Sequence, residues 1–317
     1  MKEVSNTGWK HFVSVFLRGM AMGAADLVPG VSGGTVALIT GIYSELIDSL
    51  RRCDHRAFMC LLREGIPATW RHINGSFLLA VFSGILLSVF SLAQLITFIL
   101  ETQAILVWSL FFGLIIASAI LLLRQVSSWN GSRVGLVLLG VLLALAVSWL
   151  KPTQLPVVWW VLLLAGAVAI SAMILPGISG GFLLLMMGLY PEIIAAVSTV
   201  NLNILIPFAL GCGLGLLLFS HVLSWLLHHY EAGSISFLTG ILIGSLVIIW
   251  PWKKAVETII DRHGEVVPLV QVNILPSEYA LLTGASAQLL QAIIVGVLGI
   301  ALVLGMEFLA GRKRRPN

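Results

Sequence analysis

Two stretches of this chain carry matching residues in the same order, Pro29-Gly30-Val31-Ser32-Gly33-Gly34 and Pro176-Gly177-Ile178-Ser179-Gly180-Gly181. Proline breaks a helix and glycine allows close backbone approach, so each stretch is expected to be a loop that opens a new helix. Ser32 and Ser179 are placed as N-caps. The first amides of a helix lack intrahelical acceptors, and the helix end carries about half a positive charge. Two such ends converging at low dielectric favour an anion such as phosphate or carboxylate. The candidate phosphate contacts are Pro29, Gly30, Ser32, Gly33, Gly34 and Thr35 in the first loop, and Pro176, Gly177, Ser179, Gly180 and Gly181 in the second. The plainer reading is that serine only caps and glycine only packs, and the duplication weighs against it.

Other polar residues lie close by in apolar surroundings. Asp26 precedes the first loop, and a carboxylate at membrane depth is costly enough to be a functional candidate. It is a candidate for binding a coupling proton or sodium ion, or for bonding to nearby backbone amides. Its counterpart before the second loop is Met173. Arg18 interrupts an apolar run and either meets an anionic headgroup or snorkels to the interface. Tyr43, Glu45, Tyr190 and Glu192 follow the loops. A continuous helix would carry the glutamates about 20 Å beyond the serines, which suits gates or interfacial anchors better than a shared acidic pair. His221 and Gln94 read as helix-contact residues.

The two loops belong to a longer repeat. Ala25 to Ile47 and Ala172 to Ile194 align without a gap at a constant offset of 147 residues. Leu38 matches Leu185, Gly41 matches Gly188, Tyr43 matches Tyr190, Glu45 matches Glu192 and Ile47 matches Ile194.

The elements that position these residues must sit in lipid. The chain is 59% hydrophobic and 10% charged, with a mean hydropathy of +1.03. Its net charge of +4 comes from bases clustered outside the apolar runs, so it concerns membrane topology and not nucleic acid. Cys53, Cys60 and Cys212 have no metal-ligand spacing and imply no disulfide framework, and no cofactor motif is found. Arg18 also argues against a cleaved signal, so the N-terminus is read as retained.

Spans of about 20 apolar residues are expected at 75–100, 105–123, 134–150, 202–227, 236–252 and 285–310. Regions 11–50 and 156–198 are broken by Pro-Gly, and each is expected to form a re-entrant helical hairpin, the alternative being a pair of kinked helices. This makes an all-α polytopic membrane protein of two repeats, 1–150 and 151–317, each a hairpin plus three spans. Three crossings per repeat invert the second copy. Arg51, Arg52, Arg56, Arg63 and Arg71, then Arg124 and Arg133, then the basic tail from Arg312 mark the cytoplasmic side, with both termini inside. The segment 253–284 falls outside. Trp108, Trp149, Trp159, Trp160, Trp250 and Trp252 lie near the expected outer ends, and Trp70, Trp129 and Trp225 near the inner ones. Gly211-x-x-x-Gly215 and Gly240-x-x-x-Gly244 predict close helix packing.

The duplicated Pro-Gly-x-Ser-Gly-Gly hairpin with its following Gly-x-Tyr-x-Glu resembles the bacterial polyprenyl-phosphate transporter family of the PopT type, over nearly the whole chain. The resemblance implies a flippase that returns undecaprenyl phosphate from the outer to the inner leaflet of the cytoplasmic membrane, for carrier-lipid recycling in cell-wall synthesis. Undecaprenyl-pyrophosphate phosphatases look similar but carry Pro-Gly-x-Ser-Arg-Ser and a Glu-x-x-x-Glu pair. Gly33 and Gly34 stand where that Arg and Ser would be, so the loop keeps anion-binding backbone without the arginine that phosphoryl chemistry needs. A third reading is a secondary transporter of a soluble anion.

Overall fold

The computed structural model describes residues 8–28, 31–126, 128–150, 153–260 and 266–312. The chain opens with α1 (Trp9–Asp26), α2 (Gly33–Ile39) and α3 (Tyr43–Arg51). Two short helices, α4 (His55–Glu64) and α5 (Ile66–His72), lead to α6 (Gly75–Gln125), which is broken at Gln103, and to α7 (Gly131–Ser148). The pattern then recurs as α8 (Trp159–Ile174), α9 (Gly180–Met186), α10 (Tyr190–Thr199), α11 (Leu202–His229) and α12 (Glu231–Ser245). Strands β1 (Lys253–Ile260) and β2 (Val266–Asn273), then α13 (Pro276–Thr283) and α14 (Leu289–Arg312), complete it.

The sequence repeat has a structural counterpart. Shifted by 147 residues, the bounds of α2 coincide with those of α9, and α3 and α10 both begin at the matched tyrosines. The breaks between these helices fall at Gly41 (φ 74°) and Gly188 (φ 70°), a conformation that costs glycine little. The bend between α9 and α10 is 111°. Packing follows the same plan, with α1 against the first part of α6 and α8 against α11. The second part of α6 packs against α14, and α7 against α12.

Lipid supplies no hydrophobic drive between helices, so these pairs depend on close contact at small residues. A β-carbon at Gly19 would lie 2.3 Å from the Val81 carbonyl oxygen, and one at Gly211 2.0 Å from that of Leu163. Gly113 meets Gly296 in the same way, and Gly140 and Gly240 let α7 and α12 touch along their backbones.

Among the described residues four helical segments are long and apolar enough to cross a bilayer, namely Gly75–Leu92, Thr102–Gln125, Gly131–Ser148 and Leu202–His229, so this is a multi-pass membrane protein. Of the six expected spans, these coincide with 75–100, 105–123, 134–150 and 202–227. The expected span 236–252 is the 15-residue α12, with Ser234, Ser236, Thr239 and Ser245 buried. Enclosed by protein, such a helix need not match lipid thickness. The apolar part of the last helix, Leu289–Gly305, is likewise short.

The connection expected as an outer loop contains an antiparallel hairpin, with Lys253 opposite Asn273 and Ile260 opposite Val266. Its β-branched residues, among them Val256, Thr258, Val267 and Val272, carry that signal in the sequence. The expected membrane-surface role of Trp250 and Trp252 changes with it. Trp252 is buried, and the two indoles donate to the Ile274 and Ala287 carbonyls at 2.9 and 2.8 Å. Lys253 donates to the Ile248 carbonyl at 2.6 Å with its ammonium 3.9 Å from the Trp108 ring centre, and burial pushes its pKa down to about 8.

Candidate functional site

Pro29 and Gly30 lie outside the described residues, so the first loop is seen from Val31 onward. It meets the second loop directly. The Ser32 hydroxyl lies 2.9 Å from the Met173 carbonyl oxygen and 3.4 Å from that of Leu175. Thr35 Oγ1 accepts from the Gly177 amide at 2.8 Å, a bond buried on both sides, and the Tyr43 hydroxyl donates to the Ile174 carbonyl at 3.1 Å. Gly34 belongs to the same contact, because a β-carbon there would lie 2.7 Å from the Ile174 carbonyl oxygen. The loops expected to approach one another are therefore in hydrogen-bonding contact.

Their amides are not in equivalent states. The Gly33 amide donates to Asp26 Oδ1 at 2.6 Å, and the Gly34 amide to Ser32 Oγ at 3.1 Å. The expected free N–H groups at the start of α2 are thus taken by the chain's own oxygens. Ser179 does cap α9, but more weakly, accepting from the Phe182 amide at 3.4 Å. Met173 supplies no carboxylate there. Among the described residues the Gly180 and Gly181 amides have no hydrogen-bond partner, and both Ser179 and Gly181 are half-exposed. The nearest atoms to a β-carbon at Gly181 would be Ser179 Oγ and the Tyr190 ring edge, at 3.8 and 3.9 Å. Pro176 and Gly177 are buried behind this surface.

The remaining candidates separate. Tyr43 is 2% exposed and tied to the second loop, whereas Tyr190 is 43% exposed. The glycine breaks at Gly41 and Gly188 fold the path from serine to glutamate back, so the separation of about 20 Å along one straight helix does not hold. Glu45 accepts from Asn74 Nδ2 at 3.0 Å, next to the start of α6. Glu192 lies half-buried in the first turn of α10. Arg18 is half-buried midway along α1, and among the described residues it has no hydrogen bond or ion pair.

A second polar cluster joins α3 to α11 and was not anticipated from the sequence. Ser224, fully buried, donates to Asp48 Oδ1 at 2.6 Å and accepts from Arg51 at 3.0 Å. His228 Nε2 lies 3.6 Å from Asp48 Oδ2, and His221 Nε2 lies 3.9 Å from Asp54 Oδ2. Partial burial opposes ionisation of Asp54, but the capped amides of Arg56 and Ala57 and the nearby His55 and Arg56 hold its carboxyl below the usual range. The available signal was a Ser and a His four residues apart in an otherwise apolar span, which places both on one helix face.

Residues 22–267 match the model of a family described as undecaprenyl phosphate translocase-like. A polyprenyl-phosphate transporter of Vibrio cholerae is 46% identical over 94% of this chain and 96% of its own length. Another of the same name, from Staphylococcus aureus, is 31% identical over 74% of this chain and 85% of its own. No solved structure matches. Both relatives are named as transporters.

Proposed function

The chain belongs to the undecaprenyl phosphate translocase-like family, and from that premise we propose that it is a flippase for undecaprenyl phosphate or a closely related polyprenyl phosphate. It moves the lipid from the outer to the inner leaflet of the bacterial cytoplasmic membrane, returning carrier lipid for cell-wall synthesis. The observation that carries this reading is the second loop, whose Gly180 and Gly181 amides are unpartnered among the described residues beside the half-exposed Ser179. Backbone amides and a hydroxyl at low dielectric suit a phosphate monoester, and room at Gly181 lets its oxygens approach.

In this reading residues 1–150 and 151–317 are inverted repeats, each a re-entrant hairpin and three crossings, with both termini cytoplasmic. The matched element bounds and the arginine distribution support it. The phosphate leaves the outer leaflet, docks on the second loop and is released inward as the repeats rock, while the prenyl tail stays in lipid. Asp26 is the resident anion of the first loop, holding the Gly33 amide. A proton or sodium ion that neutralises Asp26 frees that amide to share the phosphate, which couples ion binding to carriage. Arg18 is a further candidate for the headgroup.

The test is purified protein in liposomes carrying undecaprenyl phosphate, with leaflet exchange and released phosphate scored separately. Gly181→Val has space for its β-carbon and fills the loop, so exchange should fall at least about tenfold without loss of folded protein. Ser179→Ala should fall less. Wild-type exchange by both variants would reject the site. Phosphate release, or uptake of a soluble anion without lipid exchange, would reject the function.

A further inference from the structure

The two hairpins are alike in sequence and local structure but differ in what they touch. Ser32, Gly34, Thr35 and Tyr43 are all engaged with the backbone of residues 173–177. Of their counterparts Ser179, Gly181, Phe182 and Tyr190, Ser179 is half-exposed, Gly181 has open space and Tyr190 is 43% exposed. The difference extends outward. Helix α3 packs against α11 of the other repeat, and α2 against α8. Helix α10 instead packs mainly against its own neighbours α9 and α11. The wider scaffold keeps the symmetry, since α1 with α6 mirrors α8 with α11, and α6 with α14 mirrors α12 with α7. A symmetric frame with asymmetric hairpins is the signature of one of two exchangeable states.

We infer that Asp48, Arg51, Ser224 and His228 form the latch that closes the α3 side, and that the structure is the state open on the α10 side. The inference rests on the inverted-repeat reading above, in which the α3 side is cytoplasmic and the α10 side external. The latch is suited to this use because it is built from polar bonds across the repeat boundary. The buried Ser224 hydroxyl is saturated only while Asp48 accepts from it and Arg51 donates to it. Rocking must break these bonds together, which makes the two arrangements discrete. The offset of 147 residues also specifies the other state. Where the Tyr43 hydroxyl now reaches the Ile174 carbonyl, the Tyr190 hydroxyl should reach that of Leu27, and the Ser179 hydroxyl should reach that of Asp26. The Thr35 bond to Gly177 has no mirror, because Phe182 stands in its place and offers no acceptor. The two states are therefore unequal in energy.

The test needs no lipid substrate. In a variant without its native cysteines, Asp48→Cys with Ser224→Cys is oxidised to lock the α3 side. Leu27→Cys with Tyr190→Cys is then exposed to a short bismaleimide, which does not attack the disulfide. The 48–224 pair should cross-link readily. Cross-linking of the 27–190 pair should accumulate in reduced protein and be at least about tenfold slower in locked protein. An equal rate in both, or no 48–224 disulfide, would overturn the inference. Tyr190→Cys should also react with a membrane-impermeant thiol reagent added outside, locked or not, and Gly181→Cys serves as a second reporter should that variant not fold. Reaction of both reporters only from the inside overturns the assignment of sides. A transporter of some other anion would still pass these tests, so failure of the lipid assay and failure of the latch are separable.

Discussion

Replacing Thr35 by valine tests the contact between the loops at its most buried point. The substitution keeps the shape of the side chain and removes one atom's function, the Oγ1 that accepts from the Gly177 amide at 2.8 Å. Thr35 is 2% exposed and Gly177 is buried, so water cannot replace the lost acceptor. Leaving a buried donor unpaired costs about 1–3 kcal/mol. Gly177 has little room to turn elsewhere, because it packs against α12, where a β-carbon on it would lie 3.0 Å from Ser245 Oγ. Protection of the Gly177 segment against hydrogen exchange, measured by mass spectrometry in detergent, should fall about 5- to 150-fold by the same energy. Thr35→Ser retains the acceptor and should retain the protection, although it loses a methyl group. Unchanged protection in Thr35→Val would show that the Gly177 amide is satisfied in another way, and the geometry argued for the loop contact would be wrong.

Two further predictions concern stability. Gly113→Ala and Gly140→Ala would bring a β-carbon within 2.0 and 2.2 Å of a neighbouring carbonyl oxygen, so each should lower stability by about 1–3 kcal/mol. Gly135→Ala and Gly213→Ala meet nothing within 4 Å and should be neutral or stabilising by up to about 1 kcal/mol. Thermal melting of the four variants in one detergent separates these outcomes, and equal losses in all four would contradict the packing. Lys253 has a pKa of about 8 when folded and an ordinary value of 10.5 when unfolded, so between these values the unfolded chain binds more protons. Stability should therefore rise with pH through that window, by at most about 3 kcal/mol. Lys253→Met should lack this rise, and parallel pH profiles for the two proteins would refute the assignment.

Much of the architecture was legible in the residues themselves. Lipid tolerates few charges and no unpaired backbone, so apolar runs at 75–92, 102–125, 131–148 and 202–229 could be little else than spanning helices. The gapless match of Ala25–Ile47 to Ala172–Ile194 specified paired short helices with the same capping serines and the same glycine breaks. These are local properties, set by side-chain polarity, backbone freedom and spacing along one chain.

What only the tertiary structure decided is how the paired pieces differ. The matched glycines carry equivalent amides, yet Gly33 donates to Asp26 while Gly180 has no such acceptor, because Met173 stands at the equivalent place and the chain must fold back to bring either residue near. The bounds of α12, Glu231–Ser245 against the expected 236–252, go with its burial by other helices, which is invisible along the chain. The Asp48–Ser224 bond joins residues 176 positions apart, and no period or motif relates them. Short-range chemistry wrote two similar helix pairs into the sequence, and packing between segments far apart in the chain gave them unequal surroundings.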